Sequence, residues 1–177
     1  MDDSLLPVVY LSVLLVLLAG SGLILFRQIL KTRRVETALN RLQEKLSKES
    51  GMSQDYYELG TIYLDKKLYS QSIAQFQKAL KAKDLEGAEN TALLYNALGF
   101  AHAAQEQYDL AIRQYKEALD RQPGYVTAMN NLGFAYEKKQ LITQALEIYE
   151  QVLVIEPKNG AALRRAESLR KRLVTST

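Results

Sequence analysis

The chain has no cysteine, no tryptophan, one histidine and three prolines in 177 residues. Without thiols there are no disulfides, no cysteine-held zinc or iron–sulfur sites and no thiolate nucleophile, and the redox compartment is left open. The single histidine, His102, excludes multi-histidine metal sites and leaves little for a nucleophile–base pair. Nine glycines and three prolines are too few for a collagen-like or Pro/Gly-rich disordered chain. A net charge of +3 is too small to argue for nucleic acid, and the absence of tryptophan speaks against a single-strand stacking platform. No glycine-rich phosphate loop or calcium loop is present, and the carboxylates are scattered along polar stretches beside basic neighbours. The expectation is a protein that is not an enzyme, with no metal, cofactor, small-molecule substrate or nucleic-acid partner. The length allows one modest domain plus a small accessory segment.

Charge is also missing from one long stretch. Leu5 to Phe26, LLPVVYLSVLLVLLAGSGLILF, is 22 residues without a charged side chain. As a helix it covers roughly 30 Å, the thickness of a bilayer core. Ser4 is placed to cap it, and Pro7 falls in the first turn, where a missing N–H costs little. A buried core helix is the plainer reading, but so small a protein has no interior wide enough to surround it on every side. A cleaved signal peptide would need a basic front, a shorter run and a small-residue site after it. Here the front is Met-Asp-Asp-Ser, and Ala19 to Gly22 lies inside the run. Residues 1–26 are therefore expected to be a transmembrane anchor.

The flanks set its direction. Asp2 and Asp3 precede the run, whereas Arg27, Lys31, Arg33, Arg34 and Arg41 follow it with Glu36 the only acid among them. Basic flanks stay on the cytoplasmic or stromal side, so everything after Arg27 is expected there. Arg27, Lys31, Arg33 and Arg34 would lie beside anionic headgroups. Residues 27–50 read as a basic helical linker. In it Val35, Leu39, Leu42 and Leu46 step by 4, 3 and 4 onto one helix face, expected to pack on the domain that follows rather than on a partner helix.

The remainder repeats. Aligned on Leu-Gly, the chain gives Tyr56, Leu59, Gly60 and Tyr63, then Tyr95, Leu98, Gly99 and His102, then Met129, Leu132, Gly133 and Tyr136. A second matching set follows each: Ser72, Phe76 and Ala79; Ala111, Tyr115, Ala118 and Pro123; Ala145, Tyr149, Val152 and Pro157. Leu98 to Leu132 is 34 residues, as is Pro123 to Pro157. The pattern resembles the tetratricopeptide repeat (TPR), a pair of antiparallel helices in which small residues let the backbones approach. One unit cannot bury its apolar face alone, so about three must stack.

The expected fold is all-α: a TPR α-solenoid of three helix pairs (53–91, 92–125 and 126–159, within 51–158), a capping helix and tail over 160–177, and one N-terminal transmembrane helix. His102 occupies a core signature position. The first unit is five residues longer than the period, with Asp84 where the others have proline. The excess falls in Lys83 to Asn90, an acidic loop or helix extension that is either merely tolerated or a binding feature. In the cap, Ala161, Ala162, Leu163, Ala166, Leu169 and Leu173 are expected to cover the last repeat. Arg164, Arg165, Arg170, Lys171 and Arg172 face solvent or form a basic patch for a partner.

The TPR resemblance implies a groove lined by the first helix of each pair. Its groove positions correspond here to Tyr57 and Thr61, Asn96 and Phe100, and Asn130 and Phe134. A further set reads Leu64 with Asp65, Ala103 with Ala104, and Glu137 with Lys138. An amide can bond an extended peptide backbone while an aromatic ring holds an apolar side chain. Alternatively, Phe100 and Phe134 pack against neighbouring helices. TPR adaptors that grip a C-terminal carboxylate use basic groove residues. The corresponding positions here are Tyr57, Thr61, Ala97, Thr127 and Asn131, which excludes that clamp.

Taken together, DDSLLPVVYLSVLLVLLAG, the basic exit RQILKTRR and three repeats in under 180 residues resemble the photosystem I assembly TPR proteins of cyanobacteria and chloroplasts. The resemblance implies a thylakoid protein with its repeats on the cytoplasmic or stromal face, binding photosystem I subunits or subassemblies. The alternative is a bacterial inner-membrane TPR adaptor for envelope biogenesis or proteolysis.

Overall fold

Apolar residues at helical spacing, interrupted by short polar turns, leave no segment suited to a strand. A computed structural model describes residues 6–175, and these fold into helices and turns alone. Asp2, Asp3 and Ser4 lie outside the described residues, as does the side chain of Lys31.

The first helix, α1 (Leu6–Lys48), runs 43 residues without a break. It belongs to a unit covering Met1–Lys45, separate from the unit Leu46–Thr177 that holds the repeats. The apolar side chains of its first part, from Tyr10 at 70% to Phe26 at 60%, stay open to the surroundings, so that stretch is not a core helix of this chain, whereas Leu39 and Leu42 farther along are buried. It is long and apolar enough to cross a bilayer. Ser21, a polar residue inside the run, donates its hydroxyl to the Leu18 carbonyl at 2.9 Å and so needs no outside partner.

The second unit is a chain of helix pairs: α2 (Ser53–Asp65) with α3 (Tyr69–Lys81), α4 (Ala88–Ala104) with α5 (Tyr108–Arg121), and α6 (Val126–Lys138) with α7 (Ile142–Ile155). A last helix, α8 (Gly160–Thr175), lies on α7. Each helix packs on its neighbours in sequence, and the first helices also touch one another, α2 with α4 and α4 with α6.

Within each pair the crossing is closed by a glycine facing an aromatic ring 16 residues on. A Cβ at Gly60 would lie 2.6 Å from the Phe76 ring, one at Gly99 would lie 2.5 Å from Tyr115, and one at Gly133 would lie 2.8 Å from Tyr149. No real Cβ approaches so closely, which is why the signature demands glycine there. Phe76, Tyr115 and Tyr149 are at most 2% exposed. The turns between paired helices repeat as well. Lys67, Glu106 and Gln140 adopt φ near 60°, and the next residue donates back to a carbonyl of the preceding helix (Leu68 to Tyr63 at 2.8 Å, Gln107 to His102 at 3.0 Å, Leu141 to Tyr136 at 2.9 Å). His102 is 9% exposed, and its ring Nδ1 lies 2.7 Å from Gln107 Oε1.

The five extra residues of the first unit divide between two roles. Four lengthen α4, which starts at Ala88 rather than at the place corresponding to Val126 of α6. The rest lengthen the loop that presents Asp84. Its carboxylate accepts the Ser53 backbone N–H at 3.0 Å and the Ser53 hydroxyl at 2.9 Å, sealing the N-terminus of α2. The Ser53 N–H holds the Asp84 carboxyl below its ordinary value. The sign follows: a depressed native value means the stabilisation is complete above the unfolded value of about 3.9 and is lost as pH falls through the native one. Asp84→Ala is therefore expected to lower the melting temperature at neutral pH. In circular-dichroism melts the gap from the parent chain should close below about pH 4. A gap independent of pH would mean that the carboxylate charge plays no part.

The C-terminal helix covers α7 with Ala162, Ala166 and Leu169, each fully buried. Asn159 Oδ1 accepts the Ala162 N–H at 3.1 Å and starts it. Ala161 and Leu163, expected on the covering side, face outward instead, with Leu163 39% exposed. The 162, 166, 169 stripe fills the contact, and positions one residue to either side are rotated about 100° away.

Candidate functional site

The first helix of each pair buries its Leu-Gly face and turns the residues next to it toward the side that α2, α4 and α6 share. Thr61, on α2, donates its hydroxyl to the Tyr57 carbonyl of its own helix at 2.9 Å. The Tyr57 ring lies 5.8 Å from Phe76, centroid to centroid. Tyr57 also borders a depression with Ser53, Asp84, Leu85 and Asn90, so the insertion of the first unit forms one wall of that hollow.

On α4, Asn96 accepts a hydrogen bond from Asn131 Nδ2 of α6 at 2.9 Å, which ties two first helices together. Asn130 is half-buried, and its Oδ1 is buried without a hydrogen-bond partner among the described residues. Phe100 is 48% exposed, and Phe134 is half-buried. Lys138 Nζ lies 5.4 Å from the Phe134 ring centroid and the Arg165 guanidinium of α8 lies 5.5 Å from it, both within cation–π range.

Phe100, Phe134 and Lys138 line a single depression, together with Ala103, Tyr108 and Tyr115. The structure thus gathers five of the expected groove residues in one place, Phe100, Ala103, Ala104, Phe134 and Lys138, whereas Tyr57 borders a different hollow. Glu137 is already engaged. Its side chain is 14% exposed, it accepts the Tyr149 hydroxyl at 2.8 Å, and Arg165 Nη1 reaches it at 3.2 Å. Arg165, Arg170 and Arg172 of the cap reach back to Glu137, Glu150 and Gln140 respectively. On α1, Arg27, Arg33 and Arg34 are exposed.

Comparing the units position by position reveals a pattern that a single unit hides. The aromatic facing the signature glycine is Phe76, Tyr115 or Tyr149. The corresponding first-helix residue near its tip is Leu64, Ala103 or Glu137. In the first unit an apolar ring meets apolar Leu64 within one cluster. In the third a hydroxyl meets a carboxylate. In the second, Tyr115 is 1% exposed but its hydroxyl has no hydrogen-bond partner among the described residues. Burial raises the Tyr115 phenol above its usual range. Burial raises Tyr149 too, and the bond to Glu137 adds to the effect, so both stay protonated donors. Tyr115 and Arg165 were not expected at this face, although Ala103 where another unit has glutamate was a signal in the sequence. Among the described residues no three His, Asp or Glu side chains cluster as metal ligands.

Two tetratricopeptide-repeat family models match the chain, over residues 55–124 and 96–162. The ycf37 protein of Cyanophora paradoxa is 42% identical over 141 residues, 80% of this chain and 81% of that one. The ycf37 protein of Guillardia theta is 37% identical over 170 residues, 96% of each. The chloroplastic tetratricopeptide repeat domain-containing protein PYG7 of Arabidopsis thaliana is 36% identical over 164 residues, 93% of this chain but 54% of PYG7. Among solved structures, the Cut9–Hcn1 hetero-tetramer of APC/C matches with a TM-score of 0.70 at 21% identity, over 80% of this chain and 28% of that one. The first TPR of RPAP3 bound to an HSP90 peptide matches with a TM-score of 0.63 at 21% identity, over 69% and 93%. At such identities these two speak for the fold alone.

Proposed function

The chain belongs to the ycf37/PYG7 family of tetratricopeptide repeat proteins, and from that premise we propose that it is a membrane-anchored scaffold that assists photosystem I assembly or stability. It works on the cytoplasmic or stromal face of the thylakoid and performs no chemistry of its own. Its partners are photosystem I subunits or subassemblies, held along the face that α2, α4 and α6 share.

One observation carries this reading. The match to the Guillardia theta protein takes in 170 of 177 residues, so the apolar run and the repeats are shared as one unit. TPR arrays bind proteins in many unrelated systems. A TPR array carried by a membrane anchor is tied to the plane where membrane-embedded complexes are built. Tethering raises its effective concentration for partners there without any added contact.

Deleting the gene in a photosynthetic host is expected to lower photosystem I relative to photosystem II, read from the P700 signal per chlorophyll. Restoring residues 27–177 without the anchor should rescue poorly at equal protein level. An unchanged photosystem ratio in low and high light would sink the assembly reading and leave a general membrane adaptor. Full rescue by the unanchored fragment would remove the tether from the mechanism.

A further inference from the structure

We propose that the depression between α4 and α6 is a pocket for a single carboxylate side chain, taking a glutamate or aspartate from an extended segment of the protein partner. This rests on the reading that partners bind the first-helix face, and it names the chemistry that the face selects.

The third unit supplies the template. There the hydroxyl of a core tyrosine, Tyr149, donates to the Glu137 carboxylate at 2.8 Å, and Arg165 closes the other side at 3.2 Å. The second unit has the same tyrosine against the same glycine, but Ala103 stands where Glu137 stands. The carboxylate is missing and its donor is not. Tyr115, almost wholly buried, lines the depression with its hydroxyl unpartnered among the described residues. Nor is that hydroxyl sealed away, because the buried side-chain atoms without partners are Gln75 Oε1 and Asn130 Oδ1. A carboxylate entering the depression would accept that hydroxyl in a charge-assisted hydrogen bond. Lys138 at the rim supplies the opposite charge, as Arg165 does in the third unit, against the one acid of the lining, the exposed Glu106. Phe100 and Phe134 on the walls offer apolar contact for the residues flanking the acid. The first unit lacks all of this, since Phe76 has no hydroxyl and Leu64 fills the space. The selection is therefore local to one unit rather than spread along the array.

The test uses the full chain in detergent micelles and three labelled peptides, identical but for a central Glu, Gln or Lys between leucines. Fluorescence anisotropy is expected to show the Glu peptide binding about tenfold tighter than the Gln peptide or better, with the Lys peptide weakest. Tyr115→Phe keeps the ring that packs on Gly99 and copies the first unit, so it should fold normally yet lose most of the Glu preference. Lys138→Gln, on the exposed rim, should do the same. Ala103→Glu places the acid in the chain itself, as Glu137 does. It should abolish tight binding of the Glu peptide while holding or raising the melting temperature. Equal binding of the Glu and Gln peptides, or an Ala103→Glu chain that binds the Glu peptide as well as the parent, overturns the pocket while leaving the binding face in place. Failure of all three peptides to bind overturns the face and the pocket together.

Discussion

Replacing Gly99 by leucine is expected to cost the repeat array about 3 kcal/mol or more, beyond any single change on the first-helix face. Even a methyl group at this position would meet Tyr115 Cε1 at 2.5 Å and Cδ1 at 2.6 Å. The ring has nowhere to go. It is 1% exposed and belongs to the cluster that includes Met129, Leu132 and Tyr149. Relief must therefore come from parting α4 and α5, which strips contacts along the whole crossing. Gly133 is slightly less crowded, with its nearest contact at 2.8 Å, so Gly133→Leu should rank just below. The face residues behave differently. Asn130→Ala removes a buried acceptor that has no partner and should change stability by less than about 1 kcal/mol. Asn96→Ala breaks one bond to Asn131 and should cost about 1 kcal/mol. Urea unfolding with an unchanged slope is the measurement. Similar losses for the glycine and asparagine variants would show that the amides, not the close crossings, govern stability.

The second large effect is topological and close to all-or-none. In sealed right-side-out spheroplasts of a bacterial expression host, added trypsin should leave residues 27–177 intact until detergent is present. In inverted vesicles the same enzyme should remove the repeats, beginning at the exposed Arg33 and Arg34 of α1. The reason is the step in charge across the apolar run. Two acids precede it and five basic residues follow within its first helical turns and shortly after, and moving such a cluster across a bilayer is disfavoured. Digestion of the repeats in sealed spheroplasts would place them on the opposite face and remove the stromal assignment.

The fold was legible because its determinants are short-range and repeated. A glycine, an aromatic 16 residues later and a 34-residue step identify the helix pairs by themselves, and every Leu-Gly pair is buried as the pattern requires. The face was legible only in part, because register tells which way a side chain points but not what meets it. Asn96 and Glu137 both sit at face positions, yet one is bonded across to Asn131 and the other to Tyr149 and Arg165. Those partners lie 35, 12 and 28 residues away, and each depends on how neighbouring helices are set against one another. The cap shows the same limit. Arg165 looks like a solvent-facing charge in the sequence, but its length lets it return to the Phe134 ring. The extra residues of the first unit could be located but not divided into helix and loop, because the division depends on Asp84 finding the open end of α2.

Because every helix packs on its neighbours in sequence, the array has an order of assembly written into it. Contacts of short sequence separation close quickly, so the pairs can form one after another as the chain leaves the ribosome. In that order α1 precedes the repeats and α8 follows them. Until α8 arrives, the flank of α7 that Ala162, Ala166 and Leu169 will cover stays wet, and the cluster around Tyr149 and Val152 is incomplete. Until then the uncovered flank of α7 is apolar surface open to water, so a chain shortened before Gly160 is expected to accumulate to a lower level than the full chain.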